Sequence, residues 1–156
     1  MTPTLEFDHL GLIVPNLTAG REFLAATLGI TRWTALTDDP GLRVSVQFGA
    51  APPGSLQNAG PTYELIAPLG DDSPIANALR QGKHILNHVA YLTPSLDLSA
   101  KLLRNQGCYP TADPHPALAY GGNRVQFWLS PLRFVIELVE KPNHRHIFQP
   151  AQEPVA

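Results

Sequence analysis

Apolar positions in this chain fall into short runs separated by turn residues, and the runs come in the same order twice. Residues 7–14, FDHLGLIV, are apolar with β-branched residues at the end, which predicts a strand. Asn16 follows as a helix cap, LTAGREFLAATL (17–28) as the helix and Gly29 as its stop. Three further strands are predicted at ITRWTAL (30–36), LRVSVQF (42–48) and TYELIA (62–67), with GAAPPGSLQNAGP (49–61) a loop by composition. A connector comes next: Ser73 as cap and Pro74 as first helical residue open a short helix over IANALRQ (75–81), closed by Gly82.

The order then restarts. ILNHVAYL (85–92) reads as a strand, Ser95 as a cap, LDLSAKLLRNQ (96–106) as a helix stopped by Gly107, and CYPTA (108–112), RVQFWL (124–129) and RFVIELVE (133–140) as strands. His9 and His88, Pro15 and Pro94, Leu17 and Leu96 are each 79 positions apart, and VQF at 46–48 recurs at 125–127. Glu64 and Glu137 are 73 apart, so the first copy carries the longer loop. The reading is an α+β fold of two β-α-β-β-β modules, about 5–68 and 84–140, joined by a connector helix at about 73–82 within one domain, 1–140. The remainder, KPNHRHIFQPAQEPVA, has three prolines and little periodicity, which predicts a mobile tail over 141–156 with His144 and His146 in solvent.

Composition narrows the function classes. With 156 residues, 44% apolar and 15% charged, the chain fits one globular domain, and no apolar run is long enough to span a bilayer. The start, MTPTLEFDHL, lacks the basic and apolar regions of a signal peptide. Cys108 is the sole cysteine, so neither an internal disulfide nor a multi-thiolate metal site is available, and a reducing cytoplasm is the expected setting. A net charge of −2 without a basic cluster argues against nucleic acid as partner.

Each module supplies a histidine on its first strand and a glutamate on its last. Two imidazoles and two carboxylates, His9, Glu64, His88 and Glu137, would bind one divalent ion such as Zn²⁺, Ni²⁺, Co²⁺, Mn²⁺ or Fe²⁺. Four protein ligands leave two positions of an octahedral ion for a substrate with neighbouring oxygens, whose carbonyl the ion would polarise. Singly, a strand histidine is more often a hydrogen-bonded core residue; it is the matched pairing that points to a metal. Gln47 and Gln126, on equivalent strands, are candidates for holding substrate oxygens, against an alternative as solvent-facing positions. DPHPALAYGGN puts His115 and Tyr120 in a loop fit for a lid. His84 and His88, about 13 Å apart on a strand, cannot share an ion.

FDHLGLIV, ELIAPLGDDSPIANAL, NHVAYL, YGGNRVQF and FVIELVE together resemble the vicinal oxygen chelate superfamily of glyoxalases, bleomycin-resistance proteins and dioxygenases, and within it methylmalonyl-CoA epimerase. The resemblance covers nearly all of Phe7 to Glu140. It implies a cupped mixed sheet with the metal inside, the ligand set His9, Glu64, His88 and Glu137 of a bacterial glyoxalase I, and a homodimer, with the cup built within one chain or across two. The activity implied is a lyase or isomerase that moves a proton beside a metal-polarised carbonyl, with Glu137 or Glu64 as the base and a thioester or hemithioacetal as substrate. Where the epimerase carries a glutamate base, this chain has Gln47, an amide that cannot take a proton near neutral pH. The alternatives are an extradiol-type dioxygenase and a non-catalytic small-molecule binding protein of the same fold.

Overall fold

The computed structural model describes residues 3–54, 60–82 and 87–150. The chain order is β1 (Glu6–Ile13), α1 (Leu17–Leu28), β2 (Arg32–Trp33), β3 (Thr37–Asp39), β4 (Val44–Ala50), β5 (Tyr63–Pro68), α2 (Pro74–Gln81), β6 (His88–Leu92), α3 (Leu96–Asn105), β7 (Tyr109–Pro110), β8 (His115–Pro116), β9 (Arg124–Leu129) and β10 (Val135–Val139). A 3-10 turn covers Leu118–Tyr120. No helix among the described residues is long and apolar enough to cross a membrane.

The strands form one mixed sheet in the order β2-β4-β5-β1-β6-β10-β9-β7, with β3 on β4 and β8 on β9. The two modules appear as its two halves. In each, the first strand pairs parallel with the last, β1 with β5 and β6 with β10. The last strand pairs antiparallel with its predecessor, β5 with β4 and β10 with β9. The first strands of the two modules, β1 and β6, meet antiparallel and close the sheet at its centre. The α+β class and the duplicated modules read from the sequence are those of the structure.

Local signals place the helices. Asn16 accepts a hydrogen bond from the Ala19 amide at 2.8 Å, and Gly29 ends α1 with φ 69°, a conformation glycine adopts without strain. Ser95 caps α3 in the same way through the Leu98 amide. Ser73 does not: Pro74 occupies the first helical position, and the buried Ser73 hydroxyl makes no hydrogen bond. The long strand predicted at 30–36 is only Arg32–Trp33, because the chain then turns to lay Thr37–Asp39 against β4. The beginning of the strand predicted at 85–92, with His84 nearby, lies outside the described residues.

Strand alternation sorts the side chains onto two faces. On the outer face α1 covers Leu65 and Ala67 through Leu17 and Leu24, and α3 covers Trp128 and Leu138 through Leu96, Ala100 and Leu103. The inner face carries a third cluster, including Val44, Val46, Phe48, Ile66, Leu92, Tyr120, Val125 and Val139. Asp39 ties the two modules together along this face: one oxygen accepts the Leu42 amide and the other the Leu118 amide, each at 3.1 Å. Residues 141–150, which the composition predicts to be a mobile tail, run back along the molecule. Phe148 bridges to Thr34, the Gln149 amide donates to the Trp33 carbonyl at 2.8 Å, and the Arg32 guanidinium lies over the Phe148 ring.

Candidate metal centre

The inner face is a cup with a cavity of about 360 Å³. Its walls are mostly apolar, with Leu42, Val44, Val46, Ile66, Val125 and Phe127 among them, and Glu64 and Glu137 lie in its lining. Each candidate ligand reaches it because of its strand parity. Glu64 shares a face with Ile66 while Leu65 packs under α1; Glu137 shares one with Val139 while Leu138 packs under α3.

His9, Glu64, His88 and Glu137 are all buried, and one ligand atom from each falls within 4.8 Å of the others. All four come from a single chain. The His9 and His88 Nε2 atoms are 2.9 Å apart. Oε1 of Glu64 is 3.3 Å from the first and 3.4 Å from the second; Oε1 of Glu137 is 3.3 and 3.6 Å away. Donors about 2.0–2.2 Å from a shared ion stand roughly 2.8–3.6 Å apart for bond angles between octahedral and tetrahedral, which these separations match. The Glu137 Oε1 atom is buried and has no hydrogen-bond partner, an arrangement that costs free energy unless a cation takes it up. Two imidazoles and two carboxylates with inward lone pairs are a donor set able to hold a divalent ion.

Electrostatics within the cluster agree. Burial alone would depress the basicity of His9, but the charge of Glu64 and contacts with Asp8, Glu137 and Glu64 outweigh it and raise its pKa well above 6.5. Burial would raise Glu64; the adjacent His9 and His88 instead hold it at about 2. Without an ion, then, a proton on His9 answers the carboxylates.

The structure adds partners behind the candidate ligands. Phe7 faces Tyr91 and His9 faces Ala90, so the register between β1 and β6 shifts and Asp8 has no partner in that ladder. Such a bulge re-aims a side chain, and Asp8 Oδ2 lies 2.7 Å from His9 Nδ1. The Tyr120 hydroxyl donates to the same oxygen at 2.7 Å; burial and the nearby carboxylates push its pKa well up, so it remains a donor. With Nδ1–H directed at Asp8, His9 presents Nε2 inward. Asn87, 79 positions after Asp8, occupies the equivalent place behind His88, its side-chain amide 3.2 Å from Nδ1. That pairing follows the repeat offset and is readable in DHLG and NHVA. The contribution of Tyr120, which the sequence suggests only as part of a lid, is not.

Gly11 is opposite His88 in the ladder, and the His88 ring fills the space a β-carbon there would need. The imidazole therefore lies flat against bare backbone.

Two sequence expectations change. Gln47 and Gln126 do not point into the cup: their neighbours Val46, Phe48, Val125 and Phe127 do, and alternation turns the glutamines to the outer face. There Gln47 accepts from Arg21 at 2.6 Å and donates to the Thr34 carbonyl, and Gln126 donates to the Ala112 carbonyl. Neither side chain is in the lining of the cup. His146, predicted to be solvated, has a side chain only 8% exposed; it stacks on Phe48 and lies 2.9 Å from Asp8 Oδ2. His115, by contrast, is exposed at the cup rim, as a loop position predicts.

Several known proteins resemble this chain in sequence or in structure. YqjC of Bacillus subtilis strain 168, an uncharacterized protein, is 29% identical over 142 residues, covering 89% of this chain and 94% of that protein. A hypothetical protein, BH1468 from Bacillus halodurans C-125, has a similar structure, with a TM-score of 0.72 at 21% identity over 92% of this chain and 99% of that one. The methylmalonyl-CoA epimerase of Mycobacterium tuberculosis gives a TM-score of 0.67 at 25% identity over 86% of each chain. A family model matches residues 8–127. The chain belongs to the glyoxalase/bleomycin resistance protein/dioxygenase superfamily.

Proposed function

We propose that this protein is a divalent-metal-dependent isomerase or lyase that moves a proton beside the carbonyl of a compact, largely apolar substrate. The observation that carries the reading is the convergence of His9, Glu64, His88 and Glu137 on one buried point in the lining of an apolar cup, with Glu137 Oε1 making no hydrogen bond. These four side chains would be the ligands. An ion held by them supplies Lewis-acid stabilisation for negative charge that develops on a carbonyl oxygen.

The chain's own groups divide the remaining work. Glu64 is held ionised by both imidazoles, with a pKa of about 2, which makes it a poor proton acceptor. Glu137, whose Oε1 makes no hydrogen bond, is the carboxylate free to take a proton from a substrate carbon. The cup face of β4 offers Val44, Val46 and Phe48, with Gln47 turned away, so that strand places no second base opposite. One base returning the proton at the same or a neighbouring atom fits an isomerisation or lyase step better than inversion between two bases. The apolar walls exclude water from the reacting carbon and favour a carbon-rich substrate body. Methylmalonyl-CoA epimerases are among the proteins of this fold, so acyl thioesters are the first class to try, with α-oxo hemithioacetals beside them.

The deciding experiment is to load the protein with Ni²⁺, Zn²⁺, Co²⁺, Mn²⁺ or Fe²⁺ and follow exchange of the substrate α-hydrogen in deuterated water by NMR. Exchange that requires the ion and disappears in Glu137→Gln is the expected result. Failure to take up any of these ions removes the reading, and unchanged binding of an apolar ligand without an ion would instead make the cup a binding module.

A further inference from the structure

The C-terminal segment places a third group on the carboxylate that orients His9. His146 Nε2 lies 2.9 Å from Asp8 Oδ2, the oxygen that already accepts from the Tyr120 hydroxyl at 2.7 Å and faces His9 Nδ1 at 2.7 Å. The side chains of His146 and Asp8 are 8% and 5% exposed, and the His9 side chain is fully buried. The His146 ring stacks on Phe48 with centroids 4.0 Å apart, and Phe48 in turn meets the His9 ring edge-on. The segment is anchored on either side of this contact: Arg145 pairs with Glu6 at 2.8 Å, and Phe148 bridges to Thr34. His146 thus shields Asp8 from water and fixes the direction of its carboxylate.

Resting on the metal reading above, we infer that His146 is a positioning residue for the ion ligand His9, acting through Asp8, so that the segment beyond the second module sets the affinity of the metal centre. The physical reason is the direction of the carboxylate. Without the His146 N–H, Asp8 Oδ2 loses one of the donors that hold it, and it is free to turn away from His9 Nδ1–H. The carboxylate then no longer fixes the imidazole orientation that aims Nε2 into the cluster. Groups in this position behind a metal-bound histidine are typically worth about 10–100-fold in affinity.

The test titrates the full-length protein, stripped of metal, with Co²⁺ alone, following uptake by calorimetry and by the cobalt absorption spectrum. His146→Phe keeps an aromatic ring against Phe48 and removes the donor; it is expected to weaken Co²⁺ binding about 10-fold, while the ion-free protein keeps its melting temperature. His146→Gln, which restores an N–H donor, is expected to recover most of the affinity. Wild-type affinity in His146→Phe would overturn the inference while leaving the metal centre standing. So would a loss that tracks a drop in melting temperature and is not rescued by glutamine. No Co²⁺ uptake by the wild-type protein would overturn the metal reading itself, and the inference with it.

Discussion

Gly11→Ala gives the sharpest test of how the centre is built, because one methyl group would strike one candidate ligand, His88. An added β-carbon at Gly11 would lie 2.5 Å from both Nδ1 and Nε2 of His88, with the ring carbon between them closer still. Restoring ordinary contact requires the ring to retreat by at least about 0.9 Å, several times the ±0.2 Å that metal-ligand distances tolerate. In most strands, replacing glycine by alanine helps, by about 0.5–1 kcal/mol. Here the ring stands against the centre of the sheet, with Glu64 and Glu137 beyond it, so overpacking dominates and costs about 1–3 kcal/mol. For a domain of this size that lowers the melting temperature of the ion-free protein by about 2–12 °C. Withdrawal of one imidazole should weaken the ion by at least about 100-fold, equivalent to about 2.7 kcal/mol. Thermal unfolding by circular dichroism and calorimetric titration with Ni²⁺ measure the two effects separately. A variant with wild-type melting and wild-type Ni²⁺ affinity would refute the packing of His88 against bare backbone.

Other outcomes follow from the same geometry. Glu137→Gln should abolish proton exchange and also weaken the ion, whereas full activity in that variant, measured with the loaded protein, would remove Glu137 as the base. The ion-free protein should lose stability at both ends of the pH range. Glu64, at about 2 against an ordinary 4.5, contributes fully above pH 4.5 and loses its contribution as pH falls toward 2. His9, raised well above 6.5, contributes fully below that value and loses it as pH rises through its elevated folded pKa. Melting temperature against pH should therefore peak between these limits in the stripped protein, and a flat profile would contradict the coupling. Since loading displaces the His9 proton, the alkaline decline should vanish with the ion bound. Asp39→Ala frees two amides on the two modules, and a loss of about 2–3 kcal/mol by denaturant unfolding is expected; no loss would show that the staple is idle.

Much of this was legible in the sequence because duplication writes the same information twice. The α1 boundaries and both of its caps are local signals, and local signals survive folding. The candidate metal quartet is readable because a histidine and a glutamate recur at matching strand positions, where chance polar residues would not. Gln47 and Gln126 mislead for an instructive reason. They recur as faithfully as the ligands, but repetition reveals equivalence and not direction, and a shift of one residue on a strand exchanges inside for outside. His146 could not be found at all: the histidine and Asp8 are 138 positions apart, and nothing in KPNHRHIFQP marks it off from a solvated tail. Its place follows from Phe148 and Arg145 docking at either side, which are contacts of shape and charge and not of pattern.

The two halves of the centre are related by duplication, yet they are no longer equal. Asp8 backs one imidazole where Asn87 backs the other, and His88 rests on Gly11 where His9 faces Ala90. A pocket built from L-amino acids is handed whatever its symmetry, so it distinguishes the two faces of a planar enolate even where its halves match. Unequal halves add a second distinction: the two ends of a molecule lying across the axis meet different neighbours, the Asp8-backed imidazole at one end and the Asn87-backed imidazole at the other. The direction in which a substrate lies along the cup would then descend from the drift of one copy away from the other.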